Sequence, residues 1–201
     1  MKRLVLGAAL AILFAASAPA QSLEGFEVGA KAASGLAAHA KPQREQALGN
    51  DIALAWDLKD GPTLSMTWSP ASGKVLFIEK DWVRGTPVLQ TGVPGLVFGQ
   101  THLADIRTRF GSNGFGFKAN AVVKNDDSIA FINCFEIAGH DGLVLAVVTV
   151  VHSDQFAEFL QHPDSGRAVL ETVILADHAY LTALWGDEFR REPHYHPVEW
   201  K

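Results

Sequence analysis

Segments in which apolar residues alternate with small or polar ones constrain the fold of this chain more than any other feature. The pattern runs over residues 52–56, 64–68 and 74–80, and turn-forming residues fill 60–62 and 69–73 between them. Alternation with a period of two places apolar side chains on one face of a strand, while Gly, Pro, Asp and Ser favour tight turns. The sequence therefore predicts three antiparallel strands joined as a meander.

A second group of strand-like segments follows later in the chain, at 115–123, 128–137 and 143–151. Short polar and glycine-containing stretches separate these segments, which predicts a second meander. The last segment is apolar on both faces from Leu143 to Val148. A strand of that kind lies in the middle of a sheet with cover above and below, so helices are expected on the sheet.

A change of period between the two groups predicts a short helix from His102 to Phe110. Its apolar residues recur at three- and four-residue intervals and therefore fall on one face. Thr101 is the expected N-cap, since its hydroxyl can accept a hydrogen bond from a first-turn amide. Gly111 follows at the position where helices commonly end in a left-handed residue.

Two further helices are predicted near the C-terminus, at 153–161, where Ser153 is the expected cap, and at 177–189. The stretch between them, 168–176, is either a strand or the start of the second helix. The fold class is α+β, with mostly antiparallel β meanders and two or three short helices packed on the sheet. We expect a single domain over 51–201, preceded by a partly ordered, Ala-rich arm over 21–50.

The first 20 residues have the three zones of a secretory signal peptide. Lys2 and Arg3 are followed by an apolar run, and the small residues Ala18 and Ala20 suit signal peptidase. The apolar run is shorter than the roughly 20 residues that a helix needs to cross a bilayer. No cysteine follows the cleavage site to carry a lipid. The sequence predicts a soluble, exported protein of the periplasm that begins at Gln21.

Charge and cysteine content exclude two classes of protein. The formal net charge is −5, and it becomes more negative once Lys2 and Arg3 are removed with the signal peptide. An acidic domain repels phosphate backbones, so nucleic acid is not an expected partner. Cys134 is the single cysteine, which excludes a disulfide framework within the chain.

Two side-chain groups are candidates for reactive chemistry. The tail sequence His194-Tyr195-His196 places two imidazoles on one side of an extended segment, and Glu192 or Glu199 would add an oxygen ligand for a metal ion. Cys134 lies in an apolar strand and is expected to be inert core, with a thiol site near His140 and Asp141 as the alternative. The glycine-rich stretch 111–116 follows a helix and opens a strand, the reverse of a phosphate-binding loop, so we interpret it as a helix stop and turn.

The tryptophans are candidates for contact with a partner. Trp56 and Trp68 fit the apolar face of the first meander and are expected in the core. Trp82 and Trp200 are flanked by polar residues or lie near the terminus, which favours an interface role. We predict binding through the sheet face or through the loops near Trp82 and Asn113.

The stretch from Val97-Phe98-Gly99-Gln100-Thr101 through Asp105-Ile106 to Phe110-Gly111 is similar to a unit of two known families. It resembles the Gly-x-Thr, short helix, aromatic-Gly unit of the β-lactamase inhibitor proteins and of the small lipoprotein of the outer-membrane assembly machinery. In those families the unit packs on a sheet, and the function is to bind another protein. The chain departs from them because it has no lipid-bearing cysteine, no disulfide pair and no second copy of the unit.

The resemblance and the absence of a catalytic motif imply a non-enzymatic module that binds another envelope protein and needs no cofactor. Two alternatives stay open. One is a small metal- or thiol-dependent enzyme that uses His194, His196 and Cys134. The other is a protein that holds an apolar ligand between the sheet and its helices.

Overall fold

The computed structural model describes residues 21–59, 61–162, 166–189 and 191–200. The strands are β1 (Ser22–Leu23), β2 (Phe26–Glu27), β3 (Arg44–Leu48), β4 (Asp51–Asp57), β5 (Thr63–Ser69), β6 (Lys74–Asp81), β7 (Gly116–Phe117), β8 (Val122–Lys124), β9 (Ser128–Ile137), β10 (His140–His152), β11 (Val169–Asp177) and β12 (Glu188–Phe189). The helices are α1 (Ala32–Leu36), α2 (Leu103–Phe110), α3 (Phe156–Gln161) and α4 (His178–Trp185). The signal-peptide prediction falls on 1–20, outside the described residues.

Eight of the described strands form one antiparallel sheet in the order β3-β4-β5-β6-β11-β10-β9-β8. Two meanders, β3 to β6 and β8 to β11, are thus joined edge to edge where β6 pairs with β11. This confirms the predicted α+β class built from antiparallel meanders. The ambiguous stretch 168–176 is the strand β11, which supplies the link between the two meanders.

The predicted strand at 115–123 is divided into β7 and β8. Its middle turns away from the sheet because Lys118 and Ala119 donate backbone hydrogen bonds to the carbonyls of Asp187 and Trp185. The predicted helix 177–189 is shorter than expected for a related reason. It ends at Trp185, after which Gly186 has a φ of 81° and residues 188–189 pair with β7 as β12.

The two predicted N-caps are wrong. The Thr101 hydroxyl accepts a hydrogen bond from the amide of Val97 at 2.8 Å and so closes the preceding turn. The backbone amide of His102, the true N-cap of α2, donates instead to Asp105 at 2.9 Å. Ser153 is the first residue of a 3-10 turn whose N-cap is His152, and the N-cap of α3 is Gln155. The left-handed stop at Gly111 is confirmed, with a φ of 68°.

The segment 21–50 contains regular structure where the sequence predicts a partly ordered arm. It supplies β1, β2, α1 and β3, and Leu23, Phe26 and Ala32 are buried. The glycine at 35 makes this packing feasible, because a Cβ there would lie 2.3 Å from the Phe26 ring. The small residues, whose abundance led to the prediction of a partly ordered arm, therefore allow close packing. The main sheet begins at Arg44 instead of Asp51.

The sheet has an inner and an outer face. The inner face is the one that packs against α2 and the segments 23–36 and 89–98, and it forms the larger hydrophobic core. Trp56 lies in this core, as expected, and its indole N–H donates to the carbonyl of Ala40 at 2.7 Å. Phe110 of α2 packs on Phe135 of β9 with ring centroids 4.7 Å apart. Burial of a side chain of this size contributes roughly 1.5–3 kcal/mol.

The outer face is covered over β9, β10 and β11. Leu181 and Trp185 of α4 are buried there, together with Phe115 and Phe117. Their packing on β10 and β11 explains why the strand 143–148 is apolar on both sides. Within the described residues, no helix combines the length and the apolar character needed to cross a membrane.

Candidate functional site

The outer face over β4, β5 and β6 differs from the rest of the sheet. Thr67 and Phe77 lie next to Tyr180 of α4 and are buried. The other side chains of this face are small, polar or acidic and mostly half-buried, whereas Leu54, Leu64 and Met66 of the same strands are buried on the inner face. Beyond them at the sheet edge, every residue of β3 is exposed. We call this surface the open half-face, and it consists of Ala53, Ala55, Thr63, Ser65, Glu79, Asp81 and Thr172.

Strand register brings the polar groups of the open half-face into rows. Ser65 lies opposite Glu79, and Thr63 lies opposite Asp81. Thr172 of β11 continues the second row on the far side of β6. Directly opposed residues have Cβ atoms about 5 Å apart, so each hydroxyl lies within reach of its neighbouring carboxylate.

Glu79 is the most perturbed carboxyl group of this surface. Burial raises its pKa from 4.5 to about 7, and repulsion from Asp81 adds to the shift. The Ser65 hydroxyl donates to Glu79 at 3.3 Å, which opposes the shift by stabilising the charged form. Near neutral pH the Glu79 carboxyl is therefore poised between its neutral and ionised forms.

Asp81 is the second carboxyl group of the pair, two residues along the same strand and therefore about 7 Å away. Burial raises its pKa too, while a hydrogen bond of 2.6 Å from the Thr172 hydroxyl opposes the shift. A cation placed between the two groups would favour ionisation of both. The neighbouring side chains on this face are small. A partner that covers this area of the sheet can therefore contact both carboxyl groups.

Ion pairs border the open half-face. At the β3 edge, Arg44 pairs with Asp57 at 2.8 Å. At the β11 side, Arg84 binds Asp154 through two hydrogen bonds of 3.0 Å. These exposed pairs contribute little to stability, but they satisfy the flexible charges at the rim.

Trp82, a predicted binding residue, lies half-buried beside this rim. Its indole N–H donates to the carbonyl of Pro87 at 2.9 Å, and its ring covers Gly99, where a Cβ would come within 2.8 Å. With Arg84 and His152 it lines a small cavity of about 90 Å³. The indole thus serves packing, and it lies against the inner core of the sheet.

Asn113, the other predicted binding residue, lies in a different place, at the far end of the sheet. Its backbone amide donates to Glu192 at 3.0 Å and its side-chain amide donates to the same carboxylate. These bonds, with help from Arg107 and His194, lower the pKa of Glu192. Asn113 and Glu192 line a cavity of about 400 Å³.

Cys134 is fully buried on the outer face of β9. Burial, together with the nearby Glu188, raises the pKa of its thiol far above the usual range, so the reactive thiolate is strongly disfavoured. It lies opposite Ala146 in the middle of β10, whereas His140 is the first residue of β10 and lies opposite Ile137. The strand register therefore separates the thiol from the imidazole that a thiol enzyme would need.

The candidate metal ligands His194 and His196 are both exposed, as is Glu199. The His196 ring lies 3.3 Å from the carbonyl of His194. In the described part of the chain, no three His, Cys, Asp or Glu side chains are grouped closely enough to hold a metal ion. The donors needed for a closed zinc site are thus not brought together.

The tryptophans predicted in the core and those predicted at an interface differ less in solvent exposure than the sequence suggests. Trp68 is half-buried and Trp200 is half-buried as well, and both pack against the inner core. Trp68 has a buried indole N–H without an acceptor in the described residues. Burial alone therefore does not separate the two groups of tryptophans.

Glu79 and Asp81 were not identified from the sequence as candidate site residues. The signal was present, since carboxylates at positions i and i+2 of a strand point to the same face. Lys80 between them points to the inner core, where it pairs with Glu24. What the sequence did not reveal is that, in the part of the chain that the structure describes, no apolar layer covers these two carboxyl groups.

Comparison with known proteins gives no independent indication of function, because no family model, curated protein or solved structure matches the chain.

Proposed function

We propose that this chain is an exported, non-enzymatic protein that binds another envelope protein through the open half-face. The observation that supports this most is the contrast on one continuous sheet face. Over β9 to β11 the face is apolar and covered by α4, while over β4, β5 and the Glu79–Asp81 end of β6 it is polar and half-buried, without such cover from the described residues. A broad surface of small side chains is well suited to close approach by a partner.

The carboxyl pair indicates the chemistry of the partner. Covering Glu79 and Asp81 with an apolar surface would remove their remaining solvent and further disfavour the ionised forms. A Lys or Arg side chain from the partner would instead pair with them and restore ionisation. The partner therefore presents at least one basic side chain to the centre of the open half-face.

The periplasmic address rests on the pattern of residues 1–20 alone. We propose that the chain is cleaved after Ala20 and released beyond the inner membrane. N-terminal sequencing of the protein from a periplasmic extract is expected to begin at Gln21. Recovery of the intact N-terminus from the cytoplasmic fraction would contradict the proposal of export without bearing on the open half-face.

Site-specific photo-crosslinking tests the proposed surface. A photoreactive amino acid in place of Ser65 is expected to form an adduct with one envelope protein in cells that make the chain. The same residue in place of Ser34, which is exposed on α1 outside the open half-face, is the matched control. Identical adducts at both positions, or none at Ser65, would count against the surface.

Affinity measurements with the purified crosslinked partner complete the test. Ser65→Arg places a bulky cation next to Glu79 and is expected to weaken binding about tenfold or more, by steric exclusion and by competition for the carboxyl. Ser34→Arg adds the same charge at the control position and is expected to leave the dissociation constant unchanged within about twofold. Equal effects of both variants would place the interface elsewhere.

A further inference from the structure

The cavity next to Asn113 arises where two chain segments share the edge of β9. Ala121 accepts a hydrogen bond from the amide of Ile132 at 3.0 Å, and Phe115 forms a two-way bridge with Cys134 at 2.9 Å. Between Phe115 and Ala121 the chain turns outward, because β7 pairs with β12. Asn133 is left at the gap, beside a cleft of about 400 Å³.

Part of the lining of this cleft is apolar. It consists of Phe115, Phe131 and Phe189, here called the phenylalanine wall, together with Val122 and Ile132. Ligand sites in proteins are commonly about 300–1,000 Å³ in volume and combine an apolar lining with a few polar groups. The cleft is therefore large enough for a small organic molecule with an apolar body.

The polar end of the cleft is rich in hydrogen-bond acceptors. Glu192 accepts from the backbone and side-chain amides of Asn113, and the Asn133 amide donates to the carbonyl of Asn113 at 2.8 Å. These bonds hold the three side chains in place. They engage some of the side-chain N–H groups of Asn113 and Asn133. The Oδ1 atoms of Asn113 and Asn133 are buried and have no hydrogen-bond donor among the described residues. A carboxylate beside two amide oxygens is a suitable environment for an ammonium group.

Two arginines line the same cleft but differ in their partners. Arg191 is held by Glu136 at 3.1 and 3.2 Å and by Glu188 at 2.8 Å, so its charge is already compensated. Arg107 is exposed on α2 and has no carboxylate within 4.0 Å in the described part of the chain, although its charge acts on Glu192. Arg107 is therefore the cation that can bind an incoming carboxylate.

We propose that this cleft binds a free α-amino acid with an apolar side chain. Its carboxylate binds Arg107, its ammonium group binds Glu192 and the neighbouring amide oxygens, and its side chain lies on the phenylalanine wall. The opposite charges of Arg107 and Glu192 match the zwitterion, and the aromatic wall matches the apolar side chain. This site is separate from the open half-face and does not depend on protein binding there.

Isothermal titration with L-phenylalanine, L-leucine and L-methionine tests the proposal directly. At least one of them is expected to bind with a stoichiometry of about one, and the absence of saturable binding up to about 10 mM by all three would overturn the proposal. Two analogues of the first probe separate the polar contacts. 3-Phenylpropionate lacks the ammonium group and phenethylamine lacks the carboxylate, and each is expected to bind about tenfold more weakly or worse. Equal affinity for 3-phenylpropionate would remove Glu192 from the site.

A matched pair of variants on α2 tests the role of the free arginine. Arg107→Gln removes the charge beside the cleft, and we expect it to weaken binding of L-phenylalanine about tenfold or more. Arg109→Gln removes the same charge from the same helix at a position that does not line this cleft, and it is expected to bind like the parent chain. Because both side chains are exposed, neither change should prevent folding, which melting curves will verify. Equal binding by both variants would overturn the assignment of Arg107.

Discussion

The outer face of the sheet has two halves that share one register but differ in side-chain chemistry. A single cross-strand row starts with Ala55, Ser65 and Glu79 and continues across the junction of the meanders. There it becomes Ile174, Ala146 and Cys134. The first three residues of the row lie on the open half-face, and the last three are buried. We call the buried surface the closed half-face, and it consists of Cys134, Val144, Ala146, Val148, Ile174 and Ala176.

The difference between the halves shows that the layer packed on a sheet face, and not the geometry of its strands, decides which residue types the face carries. All of these strands alternate with the same period. The closed half-face meets Leu181 and Trp185 of α4, and apolar residues gain the transfer free energy of burial there. Among the described residues no such layer covers the open half-face, and an apolar row there would leave an exposed patch.

The largest expected effect comes from removing part of the cover on the closed half-face. Leu181→Ala deletes a fully buried side chain and is expected to lower the free energy of unfolding by about 3 kcal/mol, through lost burial and a residual cavity. Urea denaturation followed by tryptophan fluorescence measures this change.

Ser65→Ala is the matched change on the open half-face. It removes one hydroxyl from a half-buried position, and the unfolding free energy is expected to change by less than about 1 kcal/mol. Similar losses for both variants would show that the open half-face is also part of a packed core. That result would break the comparison between the two halves.

Glu79→Gln is expected to have the next largest effect, and the effect depends on pH. In the folded chain the pKa is about 7, against 4.5 for the free group. Between these values the folded state holds a proton that the unfolded state has released, so the stability of the parent chain falls as pH rises through this window. Glutamine cannot ionise, and at about pH 8 the variant is expected to be more stable than the parent by about 2 kcal/mol.

The pH dependence separates this effect from an ordinary change of packing. At about pH 4 both states of the parent are protonated, and the variant and the parent are expected to have nearly equal stability. Glu45→Gln, on the exposed strand β3, is the control and should show no comparable gain at high pH. A gain for Glu79→Gln that is the same at both pH values would contradict the raised pKa.

Much of the fold could be predicted because its information is local. The strands β4, β5 and β6 follow from alternation and turn residues, and α2 follows from its apolar face and Gly111. The pairing of β6 with β11 was not predictable in this way. It joins residues such as Asp81 and Thr172, which are 91 positions apart, and no local pattern encodes which strand edges meet.

The sites were harder to predict than the strands for the same reason. Asn113 was singled out as a turn residue near an expected interface, but its partner Glu192 is 79 positions away. The cleft exists because a strand predicted to be continuous divides around residues 118–121, and that division depends on contacts with the distant segment 185–189. Long-range backbone contacts thus decide where chemistry-bearing side chains meet.

A smaller effect than that of Glu79→Gln is expected at the boundary between the two half-faces, where Tyr180 of α4 packs beside the open half-face. Its ring packs on Phe77 with centroids 6.1 Å apart. Burial raises the pKa of its hydroxyl, and the side chain of Thr67 on β5 opposes that shift, which places the two hydroxyls close to each other. Tyr180→Phe keeps the ring contact and removes the hydroxyl, so we expect the unfolding free energy to fall by about 1 kcal/mol. In a double-mutant cycle with Thr67→Val, most of that loss should appear as coupling between the two residues. Fully additive losses would mean that the hydroxyl does not bridge α4 to β5, and the boundary of the closed half-face would then lie at Phe77.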